Sequence, residues 1–217
     1  MADPDSAAAR WGETDRVKAF TDGVIAIIIT ILVLEISVPP NLSEQSLLEA
    51  LQEIWPELGA WVISFLIVGM YWVWHRDLFT QIRLVDRRVV WLNLFFLLPL
   101  ALVPFAASVL GQYPDDAISL HVYGAILIAS GLARWLLYAY VMRRPELLHR
   151  PPTARHRRVG GLLALAPIAI YLVAMLVADA APRLSLLLYL LVPSLYLLLI
   201  AVLRRHPSTR EEAQDYG

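Results

Sequence analysis

Cysteine is absent from the 217 residues, which excludes disulfides, thiolate metal sites and cysteine nucleophiles. Also missing are GxSxG, HExxH and any glycine-rich phosphate loop, the local signatures of serine hydrolases, zinc peptidases and nucleotide-binding enzymes. The histidines, His75, His121, His149, His156 and His206, are scattered along the chain. With no catalytic constellation, an enzyme is not expected, and no catalytic residue, metal ligand or cofactor is assigned. The first residues, with Asp3 and Asp5, lack the basic start and small-residue cleavage site of a signal peptide. No inverted repeat or pair of matching broken helices is visible, which counts against a secondary transporter.

What the chain has is apolar length. Hydrophobic residues make up 59% and mean hydropathy is +0.60, well beyond the balance of a soluble domain. Uncharged runs recur at 58–74, 89–113, 159–178 and 184–203, each near or above spanning length. Another, 117–133, is interrupted by Arg134 and resumes to Met142. With a weaker first helix they predict an all-α integral membrane protein of six transmembrane helices, at about 16–38, 55–79, 87–111, 117–142, 158–179 and 184–204. These spans form one transmembrane domain, 13–205, between polar segments 1–12 and 206–217 that read as disordered tails. Trp55 and Trp61 near one end of the second span, and Trp72 and Trp74 near the other, fit interfacial aromatic belts. Pro99, Pro104, Pro167 and Pro193 should interrupt helices, which a membrane bundle tolerates.

Orientation follows from the basic residues. Arg76, Arg83, Arg87 and Arg88 lie between spans two and three, and Arg143, Arg144, Arg150, Arg155, Arg157 and Arg158 between four and five. Arg10, Arg16 and Lys18 precede the first span; Arg204, Arg205 and Arg210 follow the last. The alternate loops carry Glu44, Glu49, Glu53 and Glu57, then Asp115 and Asp116, and finally Arg183 alone. Both termini are therefore expected in the cytoplasm. The loop 143–158, solvated and basic, could also attract anionic lipid headgroups.

The first helix is the least lipophilic. Its uncharged core, 23–34, is twelve residues, whereas a lipid-facing span needs about 20. Asp22 and Glu35 bracket that core and should face protein or water. Ile27, Thr30/Ile31 and Leu34 fall at i, i+3/i+4 and i+7, one stripe of a helix. Ordinary packing of an apolar face explains such a stripe. So does a ring of these helices from several subunits, making a narrow apolar constriction between carboxylates, which can gate by dewetting while acidic rings favour cations. Asp22 should find donors, and Thr21, His75 and Asn93 can supply them at the same membrane face. It would also gain from the macrodipole if it sat at the helix N-terminus.

The stretch Arg16-x-x-x-Phe20-Thr21-Asp22-Gly23-Val24-x-Ala26-Ile27-x-x-Thr30-x-Leu32-x-Leu34-Glu35-Ile36 resembles the RxxxFSD motif of prokaryotic relatives of the lysosomal potassium channel. The likeness continues through Trp74-His75-Arg76-x-x-Phe79, Asp86, Trp91-Leu92-Asn93-Leu94-x-Phe96-Leu97, Pro104-Phe105 and Leu110-Gly111. It covers spans one to three; the rest agrees only in hydropathy and loop charge. Thr21 departs from the usual serine, keeping the hydroxyl and adding a methyl.

The resemblance implies a homotetramer whose pore is lined by the first helix of each subunit and which conducts potassium without a TVGYG loop, a loop this chain lacks. By the same resemblance Ile27 corresponds to the narrowest point, Thr30 to a threonine linked to ion preference, and Ile31 and Leu34 to further apolar layers. Arg16, Phe20, Thr21 and Asp22, with His75 and Asn93, correspond to the network that ties the first helix to its neighbours and could bear on gating. Glu35 would attract cations at the outer mouth. Expected partners are other copies of the chain, membrane lipids and permeant potassium ions, with no nucleic acid, in a bacterial inner membrane. The alternative is a secondary transporter or proton-permeable carrier.

Overall fold

The computed structural model describes residues 4–36 and 44–205. Helix α1, Pro4–Ile31, runs on into a 3-10 turn, Leu32–Glu35. Residues 4–12 are thus helical rather than the disordered segment expected. A proline is pre-organised for a first turn, Asp5 suits the positive helix end, and Ala7, Ala8 and Ala9 have the highest helix propensity. The expected tail 206–217 and the end of the first span at 38 lie outside the described residues. Next comes a short helix, α2 (Glu44–Glu53), inside the acidic loop where no element was expected. Its side chains alternate Leu47, Leu48 and Leu51 with Glu49 and Glu53, an amphipathic pattern too short to read as a span.

α3 (Trp55–Phe79) is followed by α4 (Arg87–Leu100) and α5 (Val103–Gln112). These last two fill the expected third span as a broken pair. Pro99 lies in the last turn of α4 and Pro104 in the first turn of α5, so two backbone donors are missing around the break. Pro167 and Pro193 behave differently from expectation, each sitting inside a continuous helix, α7 (Ala154–Val177) and α8 (Pro182–Arg205). A lone proline deletes one hydrogen bond, which packed neighbours can replace. Between the broken pair and α7 runs α6 (Ala117–Met142).

Polar loop residues start several of these helices. Asp86 Oδ1 accepts from the Val89 amide at 2.8 Å, Asp116 Oδ1 from Ile118 at 2.7 Å, and Thr153 Oγ1 from His156 at 3.1 Å, each satisfying a donor that the first turn leaves free.

Among the described residues five stretches are long and apolar enough to cross a membrane: Glu13–Glu35, Trp55–Phe79, Arg87–Gln112, Ala117–Met142 and Ala154–Val177. Pro182–Leu198, the described part of α8 that qualifies as apolar, is shorter. Helix α6 is central, packing on α4, α5, α7 and α8. Gly131 lets α6 approach α7: a Cβ there would lie 2.8 Å from Ile168 Cγ1. The main core gathers Ile67, Tyr71, Phe96, Leu100, Tyr123 and Tyr171. A second cluster, including Phe79, Ile82, Leu137 and Leu147, lies where α3 and α6 end and α4 begins.

There the two arginine-rich loops clasp each other. The amides of Arg83 and Leu84 donate to the Leu147 carbonyl at 2.7 and 3.2 Å, and the His149 amide to Gln81 at 3.0 Å. The two basic loops therefore share one end of the bundle.

Candidate functional site

Helix α1 is apolar on two faces, and only one of them is used inside the subunit. Thr21, Ile25, Ile28 and Leu32 are buried against the rest of the bundle, chiefly α3, α4 and α5. On the other side Ile27 is 58% exposed, Ile31 38% and Leu34 75%, and Thr30 is exposed with them. Phe20 lies on the same stripe, 53% exposed. Spacing at i, i+3/i+4 and i+7 would normally put such residues in a core. Here the core takes the opposite stripe. Thr30 adds the lone hydroxyl of this face from Ile27 to Leu34. Its Oγ1–H donates to the Ile27 carbonyl at 2.9 Å, which leaves the oxygen's lone pairs free. Glu35, half-buried, closes the 3-10 turn beyond Leu34.

The buried face is fastened by a three-helix hydrogen-bond chain. Asn93 Nδ2 on α4 donates to Thr21 Oγ1 on α1 at 2.7 Å, and Asn93 Oδ1 lies 2.9 Å from His75 Nε2 on α3. Because the amide nitrogen already donates, Oδ1 accepts, which assigns the proton to Nε2. All three side chains are buried. The His75 ring stacks on Phe79 and Phe96, with centroids 4.1 and 6.1 Å away, so the imidazole cannot rotate out of register.

Asp22 takes no part in that chain. It lies on the exposed surface of α1 and accepts instead from Trp72 Nε1 at 2.8 Å, while the Arg76 guanidinium sits 5.5 Å from the Trp72 ring. Since α1 starts at Pro4, Asp22 is deep within the helix and gains nothing from its macrodipole, contrary to the sequence expectation. Thr21, one residue away, points about 100° round the helix, which is why the neighbours go to different partners. Arg16 is exposed and, with Asp86 and Phe20, lines a hollow of about 620 Å³ between α1 and α4. Among the described residues it makes no ion pair with Asp22.

Sequence reasoning missed the bond that Trp72 makes to Asp22, having assigned Trp72 only to an interfacial aromatic belt. Trp72 and Trp74 both turn toward protein: Trp74 stacks under Arg134 at 4.4 Å. The signal was available, since Trp72 lies one helical turn before His75. Also missed was Tyr140 on α6, whose hydroxyl donates to Asp86 Oδ2 at 2.6 Å and holds the start of α4 from a second side. Among the described residues no group of histidines and carboxylates could hold a metal ion.

The model of the family described as endosomal/lysosomal potassium channel TMEM175 matches residues 16–104, the segment that carries the exposed stripe and the whole Thr21–Asn93–His75 chain. A potassium channel of Streptomyces collinus is 37% identical over 154 residues, covering 68% of this chain and 75% of that protein. A potassium channel of Chamaesiphon minutus is 32% identical, covering 65% and 72%. The human endosomal/lysosomal proton channel TMEM175 is 26% identical over 88% of this chain but only 37% of its own length. Among solved structures, a lysosomal potassium-selective channel TMEM175 homolog from Chamaesiphon minutus superposes with a TM-score of 0.61 at 27% identity, covering 84% of this chain and 98% of that one.

Proposed function

The chain belongs to the endosomal/lysosomal potassium channel TMEM175 family, and from that premise we propose that it forms a potassium-selective channel in which four copies surround a pore lined by α1. The observation that carries this reading is the exposure of Ile27, Thr30, Ile31 and Leu34 while the opposite stripe of α1 fills the subunit core. A bare apolar stripe on a helix bracketed by Asp22 and Glu35 calls for a covering, and symmetry-related copies of itself supply one. Ile27 then forms the dominant barrier and Thr30 offers the nearest oxygen to a passing ion. Ile31 and Leu34 extend the apolar layer toward Glu35, which attracts cations at the mouth. Apolar rings of this kind resist water and ions by dewetting.

Helix α8 is the sixth span, and the membrane is the inner membrane of a bacterial cell. The end that carries the clasped arginine loops faces the cytoplasm together with both termini, in keeping with the positive-inside rule. Potassium is the permeant ion; no cofactor or nucleic acid is needed, and lipids cover the outer faces. The Thr21–Asn93–His75 chain is a clamp that sets the rotation of α1, and Asp22 with Arg16 serves assembly rather than ion binding. A carrier mechanism is less well supported: among the described residues α4/α5 is a broken span, while α7 and α8 run through their prolines, so it has no matching partner in the second half.

The test is recording from purified protein in planar bilayers with potassium on one side and sodium on the other. Unitary steps reversing toward the potassium equilibrium potential are expected. Saturable counterflow without steps would replace the channel by a carrier.

A further inference from the structure

Arg134 sits within α6 at 5% exposure, surrounded by rings rather than acids. Its guanidinium lies 4.4 Å from the centroid of Trp74 and 5.8 Å from that of Tyr71. Nη2 donates to the Ala164 carbonyl at 2.7 Å, in the stretch of α7 that precedes Pro167. Among the described residues no carboxylate reaches it as an ion pair, and its Nε–H is buried without an acceptor. A buried cation without a counter-ion is costly, and aromatic faces offset only a part of that.

A cavity of about 390 Å³ opens beside this group, bounded by α3, α6, α7 and α8. Its size is that of a small-ligand pocket. Gln81 and His156 also line it, and the wall running away from the guanidinium is apolar, formed by Met70, Leu163, Pro167, Ile170 and Leu195. A small inorganic anion would match the arginine and leave those walls wet. A plain hydrocarbon would match the walls and leave the guanidinium without a counter-charge. An anion with a hydrocarbon chain satisfies both.

We propose that this cavity binds a single-chain carboxylate amphiphile of the fatty-acid type, its carboxylate on Arg134 and its chain along Pro167, Ile170 and Leu195. A carboxylate accepts parallel hydrogen bonds from one edge of a guanidinium. It gives Arg134 the counter-charge that the bundle withholds. The chain packs against the apolar wall that the bundle leaves uncovered.

Oleate titrated into the purified protein in neutral detergent, with bound molecules counted by native mass spectrometry, tests this. Saturable binding of one oleate per subunit is expected, with oleyl alcohol and acetate at equal concentration failing to displace it. Arg134→Gln should weaken oleate binding at least tenfold. Leu195→Trp, a change on a partly exposed wall position away from the guanidinium, should weaken it as much while the protein remains monodisperse. If Arg134→Gln does not assemble, Leu195→Trp decides alone. Undiminished binding in either folded variant overturns the proposal. Equal binding of oleyl alcohol reduces the site to an apolar groove, displacement by acetate makes it a free-anion site, and displacement by phosphatidylglycerol makes it a phospholipid site; each overturns the assignment. Binding is read without current, so the result stands apart from the channel reading.

Discussion

Asn93 is the side chain on which three helices meet, donating to Thr21 on α1 and accepting from His75 on α3. Replacing it with alanine leaves a buried imidazole N–H and a buried hydroxyl without partners, at a cost of about 1–3 kcal/mol for each. Asn93→Ala should therefore lower the melting temperature of the purified protein clearly. Thr21→Ser, which keeps the hydroxyl and removes a methyl, should leave it within a degree or two of the parent. A melting curve indifferent to Asn93→Ala would remove the chain from the list of structural ties. Asp22 belongs to a separate pair, so Trp72→Phe, which deletes its donor, should reproduce whatever loss of assembled protein Asp22→Ala causes. Size-exclusion yield measures both, and a normal yield for Trp72→Phe beside a poor one for Asp22→Ala would break the pairing.

On the scale of the element, α1 presents a problem that hydropathy alone does not solve. An amphipathic pattern tells which side is buried when the other side is polar. Here Ile25, Ile28 and Leu32 on one side are as apolar as Ile27, Ile31 and Leu34 on the other, so spacing could not say which stripe the subunit keeps. The broken third span was legible because Pro99 and Pro104 flank it. The unbroken passage of α7 through Pro167 was not, since it depends on packing against α6 that no local pattern encodes. The same holds for Arg134, visible as an interruption of an apolar run but with its aromatic neighbours drawn from a distant helix. Asp22 was legible as a residue in need of a donor, and the donor was misidentified because Asp22 faces about 100° round α1 from Thr21, toward Trp72 rather than Asn93.

The approach of α6 to α7 makes a prediction of its own. Gly131→Leu would push several carbons toward Ile168, where even a Cβ meets an atom at 2.8 Å. Overpacking of this kind costs roughly 1–3 kcal/mol. The variant should melt earlier, and Gly131→Leu combined with Ile168→Ala should recover part of the loss. No recovery in the double variant would mean that the two helices do not meet there.

For the whole molecule the arrangement of charge is testable without any current. The chain has no cysteine, so single cysteines report sidedness cleanly. Arg155, exposed in the first turn of α7, and Asp115, exposed between α5 and α6, should lie on opposite faces of the membrane. An impermeant maleimide should label Asp115→Cys in intact cells and Arg155→Cys only after permeabilisation; the reverse pattern would invert the proposed orientation.

The proposed tetrameric pore carries the last prediction. A ring of Ile27 side chains has no oxygen with which to replace a hydration shell, so the constriction excludes both water and ions unless it is widened or wetted. Ile27→Asn places four amides there and should raise unitary conductance while the reversal potential under potassium against sodium moves toward zero. Thr30→Val removes a hydroxyl with little change in volume, so the barrier stays dry and discrimination changes without a comparable rise in conductance. The comparison separates a wetting barrier from an oxygen-based preference in one pair of bilayer recordings. Unchanged conductance and reversal potential in Ile27→Asn would mean that the exposed stripe of α1 faces something other than the conduction path. In that case the covering that the subunit lacks would have to be a protein or lipid surface, and the pore would lie elsewhere in the assembly.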